Sequence, residues 1–475
     1  MAETHAFLIG GQKRHARETL EVRNPFNDEV VGEVSRPSAE HVDDGIRSAV
    51  TAFSETRSLP SYRRADILEK TASGIRNRKE DMARVLCQEA GKPIRHARGE
   101  VDRAICTLTL AAEEAKRMEG EAIPLDITPA AGNRLGIVRR FPIGPVAGIS
   151  PFNFPLNLVC HKVAPALAAG NTIVLKPASS TPLSALMLGE VFTEAGAVPG
   201  SINVLPCSAR DAGALVTDSR LKMVTFTGSA EVGWKIKAES GKKRVCLELG
   251  GNAALIIEPD ADMKVAVERS VLGGYAYAGQ ICISLQRIYI HESVYDDFNE
   301  AFVHAVQKIK LGDPLLETTD VGPMIDEASA IQTDAWVREA VDAGARVLAG
   351  GERDGTLVQP TVLENVPRDA KVSCEEVFAP VVVLEKYATI EQAIDKVNDS
   401  RYGLQAGIFT RDIEKAFLAF NRIEAGGVIV NDIPTYRVDH MPYGGVKDSG
   451  FGREGVRYAL EEMTELKIMV VKNAL

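Results

Sequence analysis

The chain lacks the long apolar stretches and the clustered basic residues that would point to a membrane or to nucleic acid. No run approaches the roughly 18 apolar residues of a membrane span, and Met1-Ala2-Glu3-Thr4-His5 lacks a basic region followed by an apolar core. The formal net charge is -10, and no stripe of Lys and Arg offers phosphate contacts. We therefore expect a cytoplasmic protein that has neither a membrane nor nucleic acid as a partner.

Closely spaced cysteines are also missing. The seven cysteines are odd in number and scattered, which argues against the paired spacing of a zinc site and the density of a disulfide scaffold. We expect reduced thiols and no bound metal. The seven are Cys87, Cys106, Cys160, Cys207, Cys246, Cys282 and Cys374.

Length and composition are those of an ordinary multidomain protein. The chain has 475 residues, whereas single hydrophobic cores stop growing near about 250–300 residues. Hydrophobic residues make up 45% and charged residues 25% of the chain, which is close to the average for folded domains. Low-complexity linkers and internal repeats are absent from the sequence, so we expect two or more packed domains.

Strand-like and helix-like segments alternate through most of the sequence, which favours an α/β fold with parallel sheets. The middle third shows the alternation best, as a βαβαβ series of the kind that binds a nucleotide at the carboxyl edge of its sheet. A further turn, 227–229, opens a helix. The predicted strands are 146–150, 172–175, 202–205 and 223–226, and the predicted helices are 155–169 and 181–195.

A second α/β region runs from about Gly250 to about Gly427, with predicted strands at 287–290 and 381–384. The last segment, 465–472, is a long apolar strand. Because an isolated strand edge invites pairing with another chain, we expect an oligomer contact there. Pairing within its own chain is the alternative.

Cys282 is the first candidate for chemistry. It lies in Gly279-Gln280-Ile281-Cys282-Ile283-Ser284, where Gly and small or apolar neighbours frame the thiol. A thiol in this setting is a plausible nucleophile, although a cysteine is more often a small buried hydrophobe.

Two other segments supply what such a nucleophile needs. Asn153 lies between prolines in Pro151-Phe152-Asn153-Phe154-Pro155, where a rigid amide can donate to a developing oxyanion or else cap the following helix. Glu248 is the one carboxylate in Val245-Cys246-Leu247-Glu248-Leu249-Gly250-Gly251. A carboxylate in an apolar run is either a general base of raised pKa or part of a buried ion pair.

The turn Gly228-Ser229-Ala230-Glu231-Val232-Gly233 lies between a strand and a helix. Free backbone N–H groups and the helix dipole favour a phosphate at such a position. The turn lacks both the Lys of a P-loop and the usual dinucleotide spacing of glycines, so tight packing is the alternative reason for its glycines.

Taken together, these segments resemble the aldehyde dehydrogenase superfamily along nearly the whole chain. The matched segments follow the order of that family. They are Asn24-Pro25-Phe26, Glu89-Ala90-Gly91-Lys92-Pro93, 151–155, Lys176-Pro177-Ala178, Phe226-Thr227-Gly228-Ser229, 247–251, 279–282, Glu376-Val377-Phe378-Ala379-Pro380, Tyr443-Gly444-Gly445-Val446-Lys447 and Ser449-Gly450.

The resemblance implies a Rossmann-like cofactor domain, an α/β catalytic domain and a small β bridging domain that builds homodimers or homotetramers. The implied boundaries are 1–117 and 140–249 for the cofactor domain, 250–430 for the catalytic domain, and 118–139 with 455–475 for the bridging domain. The segment 431–454 would return to the cofactor domain and line the substrate tunnel.

The resemblance also implies a mechanism. Cys282 would attack an aldehyde to form a thiohemiacetal, whose oxyanion is held by Asn153 and the backbone N–H of Cys282. Glu248 would activate the water that cleaves the resulting thioester. Relatives that transfer the acyl group to coenzyme A generally lack this carboxylate, so its presence favours a free acid as product. A coenzyme A-acylating relative and a non-catalytic structural protein of the same fold are the alternatives.

NAD or NADP is the cofactor that the resemblance implies. Lys176 and Glu376 would contact ribose hydroxyls, Ser229 the pyrophosphate, and Phe378 the nicotinamide side. NAD-preferring relatives often carry Glu three residues after the Lys, where this chain has Ser179. Ser can donate to a 2′-phosphate that Glu would repel, which favours NADP or dual use. Further expected contacts are Ser150, Phe152, Gly228 and Gly233.

Three residues that can carry a positive charge are candidates for selecting the substrate. His161 lies two helical turns beyond Asn153, Arg103 projects from a helix at the other side of the tunnel in related proteins, and Arg437 precedes the Tyr443 motif. Together they favour a small aldehyde that carries an anionic group. If each is instead a surface or structural cation, an uncharged aliphatic aldehyde is the alternative substrate.

Overall fold

Three β-sheets organise the chain in the computed structural model, which describes residues 4–472. The α-helices are α1 (Ala39–Ser58), α2 (Ser61–Asn77), α3 (Lys79–Ala90), α4 (Ile94–Arg117), α5 (Asn157–Ala169), α6 (Leu183–Glu194), α7 (Gly213–Thr217), α8 (Ala230–Glu239), α9 (Met263–Tyr275), α10 (Tyr295–Val306), α11 (Glu327–Asp342), α12 (Lys371–Cys374), α13 (Ile390–Asn398), α14 (Ile413–Arg422) and α15 (Val456–Glu462).

Most strands belong to the three sheets described below. The strands are β1 (Thr4–His5), β2 (Phe7–Ile9), β3 (Gln12–Arg14), β4 (Thr19–Arg23), β5 (Val30–Ser35), β6 (Gly120–Pro124), β7 (Arg134–Pro142), β8 (Val146–Ile149), β9 (Ile173–Lys176), β10 (Ile202–Val204), β11 (Met223–Thr227), β12 (Arg244–Glu248), β13 (Ala253–Ile257), β14 (Leu285–His291), β15 (Arg346–Ala349), β16 (Arg353–Asp354), β17 (Leu357–Val358), β18 (Thr361–Glu364), β19 (Val381–Tyr387), β20 (Tyr402–Gly403), β21 (Gln405–Phe409), β22 (Gly427–Val430), β23 (Val446–Lys447), β24 (Gly450–Phe451) and β25 (Thr464–Lys472). A further small sheet near the N-terminus consists of β1, β5 and β4.

The first sheet confirms the predicted nucleotide-binding unit. Its order is β24-β12-β11-β8-β9-β10-β2-β3, and the five strands from β12 to β10 are parallel. Strand order reverses between β8 and β11, so a crevice opens at their carboxyl ends. The segments that follow these strands begin with Ser150 and Gly228, which places both candidate cofactor segments at this crevice.

The local sequence explains why the nucleotide-binding unit forms these strands and helices. All four residues of β8 and all thirteen of α5 are buried, as expected for a sheet covered by helices on both faces. Helix α5 ends at Gly170, whose left-handed φ of 87° suits glycine. Helix α8 begins after Ser229, whose side chain accepts a hydrogen bond from the Val232 N–H.

The second sheet confirms the second α/β region. Its order is β15-β18-β19-β14-β13-β21-β22, and only β15 is antiparallel to its neighbour. Its central strands carry fully buried aliphatic side chains such as Leu255, Ile257 and Ile288. Only four residues, Leu249–Asn252, separate the end of β12 from the start of β13, so the two large sheets meet beside Glu248.

The third sheet is small and antiparallel, in the order β25-β7-β6. Strand β25 pairs with β7 along its whole length, from Thr464 to Lys472. Pairing within the chain therefore occupies one edge of β25. Within residues 4–472 the other edge has no partner strand, and four large apolar side chains of β25 are exposed there: Leu466, Ile468, Met469 and Val470.

Two details bear on the implied domain boundaries. Strand β7 continues to Pro142, and Val456 and Leu460 of α15 pack in the core of the first sheet. Strand β24, which lies within the segment 431–454, pairs with β12 of the first sheet. Residues 1–3 and 473–475 lie outside the described part of the chain. They include part of the N-terminal segment and the last three residues of the predicted bridging domain.

Among residues 4–472, no helix combines the length and the apolar character that crossing a membrane requires.

Candidate active site

A cavity of about 730 Å³ opens where the two large sheets meet. The three residues with predicted catalytic roles, Cys282, Asn153 and Glu248, all line it, although they are far apart in sequence. They come from the second α/β region, the loop after β8 and the end of β12 respectively. Many other residues of both sheets complete the wall, including Phe152, Gly228, Ser229, Glu376, Phe378, Arg103 and Arg437.

Asn153 is held next to the loop that carries Cys282, residues 276–284, which we call the cysteine loop. Its side-chain Nδ2 donates to the carbonyl of Gln280 at 3.0 Å, and the residue is 4% exposed. The amide group has a second N–H that this bond leaves free. Within the described residues the backbone N–H of Cys282 also has no hydrogen-bond acceptor. Two donors are thus available beside the sulfur, as an oxyanion site requires.

Left-handed backbone sets up the cysteine loop. Tyr277, Ala278 and Gly279 have φ values of 51°, 53° and 69°. Only glycine adopts this region without cost, and each of the other two costs about 1–3 kcal/mol. The Tyr277 hydroxyl donates to the Ala90 carbonyl at 2.7 Å, and its ring is fully enclosed. Contacts with an early segment of the chain therefore maintain the strained turn.

Lys92 joins the cysteine loop to the loop that carries Asn153, residues 150–156, which we call the asparagine loop. Its ammonium lies 3.8 Å from the ring centre of Phe154 and 4.6 Å from that of Tyr277. It is 1% exposed and forms a buried ion pair with Glu100 of α4. The Glu100 carboxylate also accepts the backbone N–H groups of Leu156 and Asn157, at the start of α5.

Close backbone approach requires glycine at the junction of the sheets. A Cβ on Gly251 would lie 2.3 Å from the carbonyl oxygen of Cys282, and a Cβ on Gly250 would lie 2.2 Å from the carboxylate of Glu376. A side chain at Gly251 would collide with backbone, whereas a side chain at Gly250 would displace the Glu376 carboxylate. The Gly250-Gly251 pair therefore lets the cysteine loop and Glu376 approach the end of β12.

The Cys282 thiol is protonated at neutral pH. Burial raises its pKa to about 11. The Tyr443 hydroxyl, 2.9 Å from Sγ, and the guanidinium of Arg437 act in the opposite direction, whereas Glu376 and Glu248 add to the increase. The thiol therefore has to lose a proton before it can attack.

Glu248 is an unpaired buried carboxyl. Neither of its oxygens has a hydrogen-bond partner among the described residues, and the residue is 3% exposed. Burial raises its pKa well above the usual range, and the nearby carboxylate of Glu454 adds to the effect, against Arg437 and Lys162. A carboxyl of this kind can exchange protons near neutral pH.

Glu454 is ionised because two cations hold it. Lys162 Nζ lies 3.0 Å and Arg437 Nη2 lies 3.1 Å from its carboxylate oxygens. Burial opposes ionisation, yet these cations lower the pKa of Glu454 to about 2. Lys162 also donates to the hydroxyl of Thr227 at 2.7 Å, at the end of β11.

Asp439 gathers two of the residues predicted to bind substrate. Arg103 donates to it through Nε at 3.2 Å and Nη2 at 2.7 Å, and Nε2 of His161 lies 2.8 Å from it. Asn157, one turn before His161 on α5, donates to it at 3.1 Å. These bonds hold the pKa of Asp439 well below its usual range although burial opposes them. Burial and the nearby Arg437 lower the pKa of His161, so its ring is neutral and donates through Nε2.

The predicted cofactor residues lie along the crevice of the first sheet. Lys176 ends β9 and, within residues 4–472, donates only to the Pro177 carbonyl, at 3.1 Å; Ser179 is half-buried nearby. Phe378 has a left-handed φ of 52° and its ring lies 5.8 Å from that of Phe152. Glu376 accepts the Gly251 N–H at 3.0 Å, and burial raises the pKa of Glu376 to about 7.

These groups fit a dinucleotide. The Ser150 hydroxyl is buried without a partner, and the ammonium of Lys176 has donors to spare. A Cβ on Gly233 would lie 2.2 Å from Leu249, so this glycine allows α8 to pack against the end of β12. The free N–H groups of the first turn of α8 lie beside Gly228 and Ser229, where a phosphate is favoured.

The structure brings many of the predicted site residues to one cavity, but the sequence did not indicate the charged residues around them. Arg103 and Arg437 line the cavity, whereas His161 is enclosed behind Asp439 and does not line it. Lys162 could have been noticed, because a lysine inside a fully buried helix needs a carboxylate partner. The other residues that the sequence did not single out for a role are Glu100, Tyr277, Asp439, Tyr443 and Glu454.

Comparison with known proteins gives a consistent result. Residues 12–469 match the model of the Aldehyde dehydrogenase family. A 3-sulfolactaldehyde dehydrogenase of Priestia aryabhattai is 45% identical over 468 residues, which are 98% of each chain. The crystal structure of aldehyde dehydrogenase 21 from Physcomitrella patens, in complex with the reaction product succinate, has 47% identity and a TM-score of 0.98, over 100% of this chain and 99% of that one.

A second crystal structure is that of glyceraldehyde-3-phosphate dehydrogenase from Methanocaldococcus jannaschii, complexed with NADP. It has 40% identity to this chain and a TM-score of 0.93, and the match covers 97% of this chain and 99% of that one.

Replacing Gly251 by alanine tests the close approach of the cysteine loop. The new Cβ would meet the Cys282 carbonyl at 2.3 Å, and we expect a loss of about 1–3 kcal/mol in the free energy of unfolding because the backbone must shift. Urea unfolding measures the loss, and the rate of Cys282 labelling reports the shift. Gly213→Ala is the matched control, since nothing lies within 4 Å of its added Cβ. Equal stability of the two variants would refute the requirement for glycine.

Proposed function

Because this chain belongs to the aldehyde dehydrogenase family, and thus oxidises aldehydes with NAD(P), we propose that it converts a small anionic aldehyde to its carboxylic acid through Cys282. The observation that carries the proposal is the convergence of Cys282, Asn153 and Glu248 on one cavity. Asn153 and Glu248 keep unbonded functional atoms there, an amide N–H and both carboxyl oxygens, and the Cys282 sulfur is hydrogen-bonded only to the Tyr443 hydroxyl among the described residues.

In the first step the Cys282 thiol gives its proton to solvent, and the thiolate Sγ forms a bond to the aldehyde carbon. The carbonyl electron pair moves to the oxygen, and Asn153 Nδ2 and the Cys282 N–H stabilise the resulting oxyanion. Bound NAD(P) supplies the hydride acceptor for oxidation to the thioester. The residues that would hold it are Lys176, Ser229, Glu376 and Phe378, with Ser150, Phe152, Ser179, Gly228 and Gly233 around them.

Glu248 acts in the second step. Its carboxylate takes a proton from water, the resulting hydroxide adds to the thioester carbon, and the C–S bond breaks to release the acid and the thiolate. Since burial raises the pKa of Glu248, its carboxylate form increases with pH. The rate of thioester hydrolysis should therefore rise as pH increases through this pKa. Because Glu248 promotes hydrolysis of the thioester, the acyl group leaves as a free acid and is not transferred to coenzyme A.

Replacing Glu248 by glutamine should separate the two steps. We expect steady-state turnover to fall by about 10²–10⁴-fold because the general base is lost, while the first turnover still gives a burst of reduced cofactor. Stopped-flow absorbance at 340 nm measures the burst. Exposed Glu239→Gln is the matched control, and Cys282→Ala should abolish both phases. Full steady-state turnover in either active-site variant would contradict the assignment.

The substrate proposal rests on charge inside the cavity wall. Two cations, Arg103 and Arg437, line the cavity, whereas the carboxylates with which they pair, Asp439 and Glu454, do not. Arg103 binds Asp439 through Nε and Nη2, which leaves Nη1 free for a ligand. His161 would act indirectly, by orienting Asp439.

The relatives support the same class of substrate. Sulfolactaldehyde carries a sulfonate, succinate a second carboxylate, and glyceraldehyde 3-phosphate a phosphate, according to the names of the matched proteins. All three compounds are short and place an anionic group at the end of the chain remote from the reacting carbon. We therefore place the anionic group of the substrate near Arg103 and Arg437.

Replacing Arg103 by glutamine tests the substrate class. A hydrogen bond to a charged group contributes about 1.5–3 kcal/mol, so kcat/KM for anionic aldehydes should fall roughly 10- to 100-fold, with little change for propanal. Arg103→Lys, which keeps the charge, should lose less. The panel is 3-sulfolactaldehyde, succinic semialdehyde, glyceraldehyde 3-phosphate, phosphonoacetaldehyde, lactaldehyde and propanal. A wild-type preference for propanal would disprove the proposal.

NADP is the cofactor that the charges near Ser179 favour. Burial lowers the pKa of Lys176, and the guanidinium of Arg36 lowers it further. In the described part of the chain neither cation pairs with a carboxylate, so both remain available to a 2′-phosphate. The structure from Methanocaldococcus jannaschii holds NADP.

Ser179→Glu should reverse this preference. A carboxylate beside the 2′-phosphate should lower kcat/KM for NADP by about tenfold or more, which corresponds to about 1.4 kcal/mol, and leave kcat/KM for NAD nearly unchanged. Initial rates with both cofactors measure the effect. Ser179→Gln controls for size without charge. If the glutamate and glutamine variants lose NADP activity equally, repulsion is not the cause.

Assembly and location complete the proposal. We propose a homodimer or homotetramer, with the implied division into cofactor, catalytic and bridging domains. Two sheet edges support it: the free edge of β25, and β22, where α14 exposes Phe417 and Phe420 beside the sheet. All seven cysteines are free, which supports a cytoplasmic location.

A further inference from the structure

We propose that Tyr443 is a further catalytic residue, whose phenol donates a hydrogen bond to the thiolate of Cys282 and is polarised by the stacked guanidinium of Arg437. Within the described residues the Tyr443 hydroxyl, at 2.9 Å, is the only hydrogen-bond partner of the Cys282 sulfur. The inference rests on the proposed function only in that Cys282 is the nucleophile.

The position of Tyr443 is fixed independently of its hydroxyl. Its backbone N–H and carbonyl both pair with Glu454, at 3.0 Å and 2.7 Å, and its ring packs against Ile283 and Leu404. The residue is 2% exposed. A phenol held in this way needs no rearrangement when the sulfur becomes charged, which is the condition for effective electrostatic stabilisation.

Arg437 strengthens the phenol as a donor. Its guanidinium carbon lies 3.6 Å from the ring centre of Tyr443, and Nη2 binds the Glu454 carboxylate. A cation over an aromatic ring draws electron density from the ring, which makes the O–H group a better donor. Because Glu454 also pairs with Tyr443 through the backbone, one residue positions both partners of the stack.

The surroundings of the sulfur show why such a donor is needed. The ionisable groups that act on Cys282 are Tyr443, Arg437, Glu376 and Glu248. Both carboxyl groups disfavour a thiolate, as does burial, and Arg437 and Tyr443 alone favour it. Burial raises the pKa of Tyr443 well above its usual range, so the phenol keeps its proton and can donate it in a hydrogen bond.

The direction of the hydrogen bond between Tyr443 and Cys282 can be tested, because the two possible directions predict opposite effects on the reactivity of the sulfur. If the thiol donates to the phenol oxygen, the contact stabilises the protonated form and slows attack. If the phenol donates to the thiolate, the contact stabilises the nucleophile. Removing the hydroxyl therefore changes the reactivity of Cys282 in opposite directions under the two arrangements.

Alkylation of the protein by iodoacetamide, without substrate or cofactor, reads this reactivity. The sulfur forms a bond to the reagent carbon, iodide leaves with the bonding electrons, and the buffer takes the thiol proton. In the wild type the rate should rise with pH between 7 and 9 without a plateau, because the pKa of the thiol is about 11. Mass spectrometry of the Cys282 peptide gives the rate at each pH.

In Tyr443→Phe we expect alkylation to be about 10- to 100-fold slower than in the wild type at pH 8, as for loss of a hydrogen bond to a charged group. The burst of reduced cofactor with a saturating aldehyde should slow by a similar factor. Tyr436→Phe, in the same loop but 43% exposed, is the control and should match the wild type. Circular dichroism melting checks the fold of both.

Arg437→Lys provides a second variant. It keeps a positive charge near Glu454 but removes the flat group over the ring, so alkylation should slow. Because Arg437→Lys keeps the charge that acts directly on the sulfur and removes only the group stacked on the phenol, the double variant with Tyr443→Phe should be no slower than Tyr443→Phe alone. Additive losses would contradict the polarising role.

Unchanged or faster alkylation in Tyr443→Phe, or equal slowing in Tyr436→Phe, would overturn the inference. Failure of the proposed function would look different. In that case Cys282→Ala would still oxidise aldehydes, whatever the effect of Tyr443 on alkylation.

Discussion

The active site depends on one buried cation. Lys92 lies between the rings of Phe154 and Tyr277 and pairs with Glu100, so one ammonium group connects the asparagine loop, the cysteine loop and α4. Removing one partner of a buried ion pair costs about 3–5 kcal/mol because the other charge is left uncompensated. The Glu100 carboxylate also caps the start of α5, which carries the residues that bind Asp439 and Glu454.

The charges around the cavity form pairs that share members. Asp439 joins α4 to α5, and Glu454 joins α5 to the segment that holds Tyr443 and Arg437. Each carboxylate has at least two cationic or N–H partners, which explains why both stay ionised in spite of burial. Glu248 is the exception, since it has none. The protein thus keeps Glu248 free to exchange protons while it pairs Asp439 and Glu454 with cations.

Much of the fold could be predicted from the sequence. The βαβαβ series, the second sheet and the terminal strand follow from apolar periodicity and from breakers such as Gly170, and the structure confirms them. Cys282, Asn153 and Glu248 could be proposed from the sequence because each lies in an unusual local pattern, and their catalytic roles stay predictions. Asp439 and Glu100 lie in ordinary polar surroundings, so only tertiary packing reveals their partners. His161 was expected in the tunnel wall because helix spacing gives the face of a residue but not the side chain that covers it.

The protonated state of Cys282 also affects the enzyme when it is idle. Peroxides attack thiolates far faster than thiols, and the oxidation of cysteine beyond the sulfenic acid is largely irreversible. Because burial raises the pKa of Cys282, the proposed nucleophile, to about 11, this residue presents very little thiolate at neutral pH. The same enclosure that makes the thiol a reluctant nucleophile would therefore spare it from oxidative inactivation between turnovers, and extend the working life of each molecule.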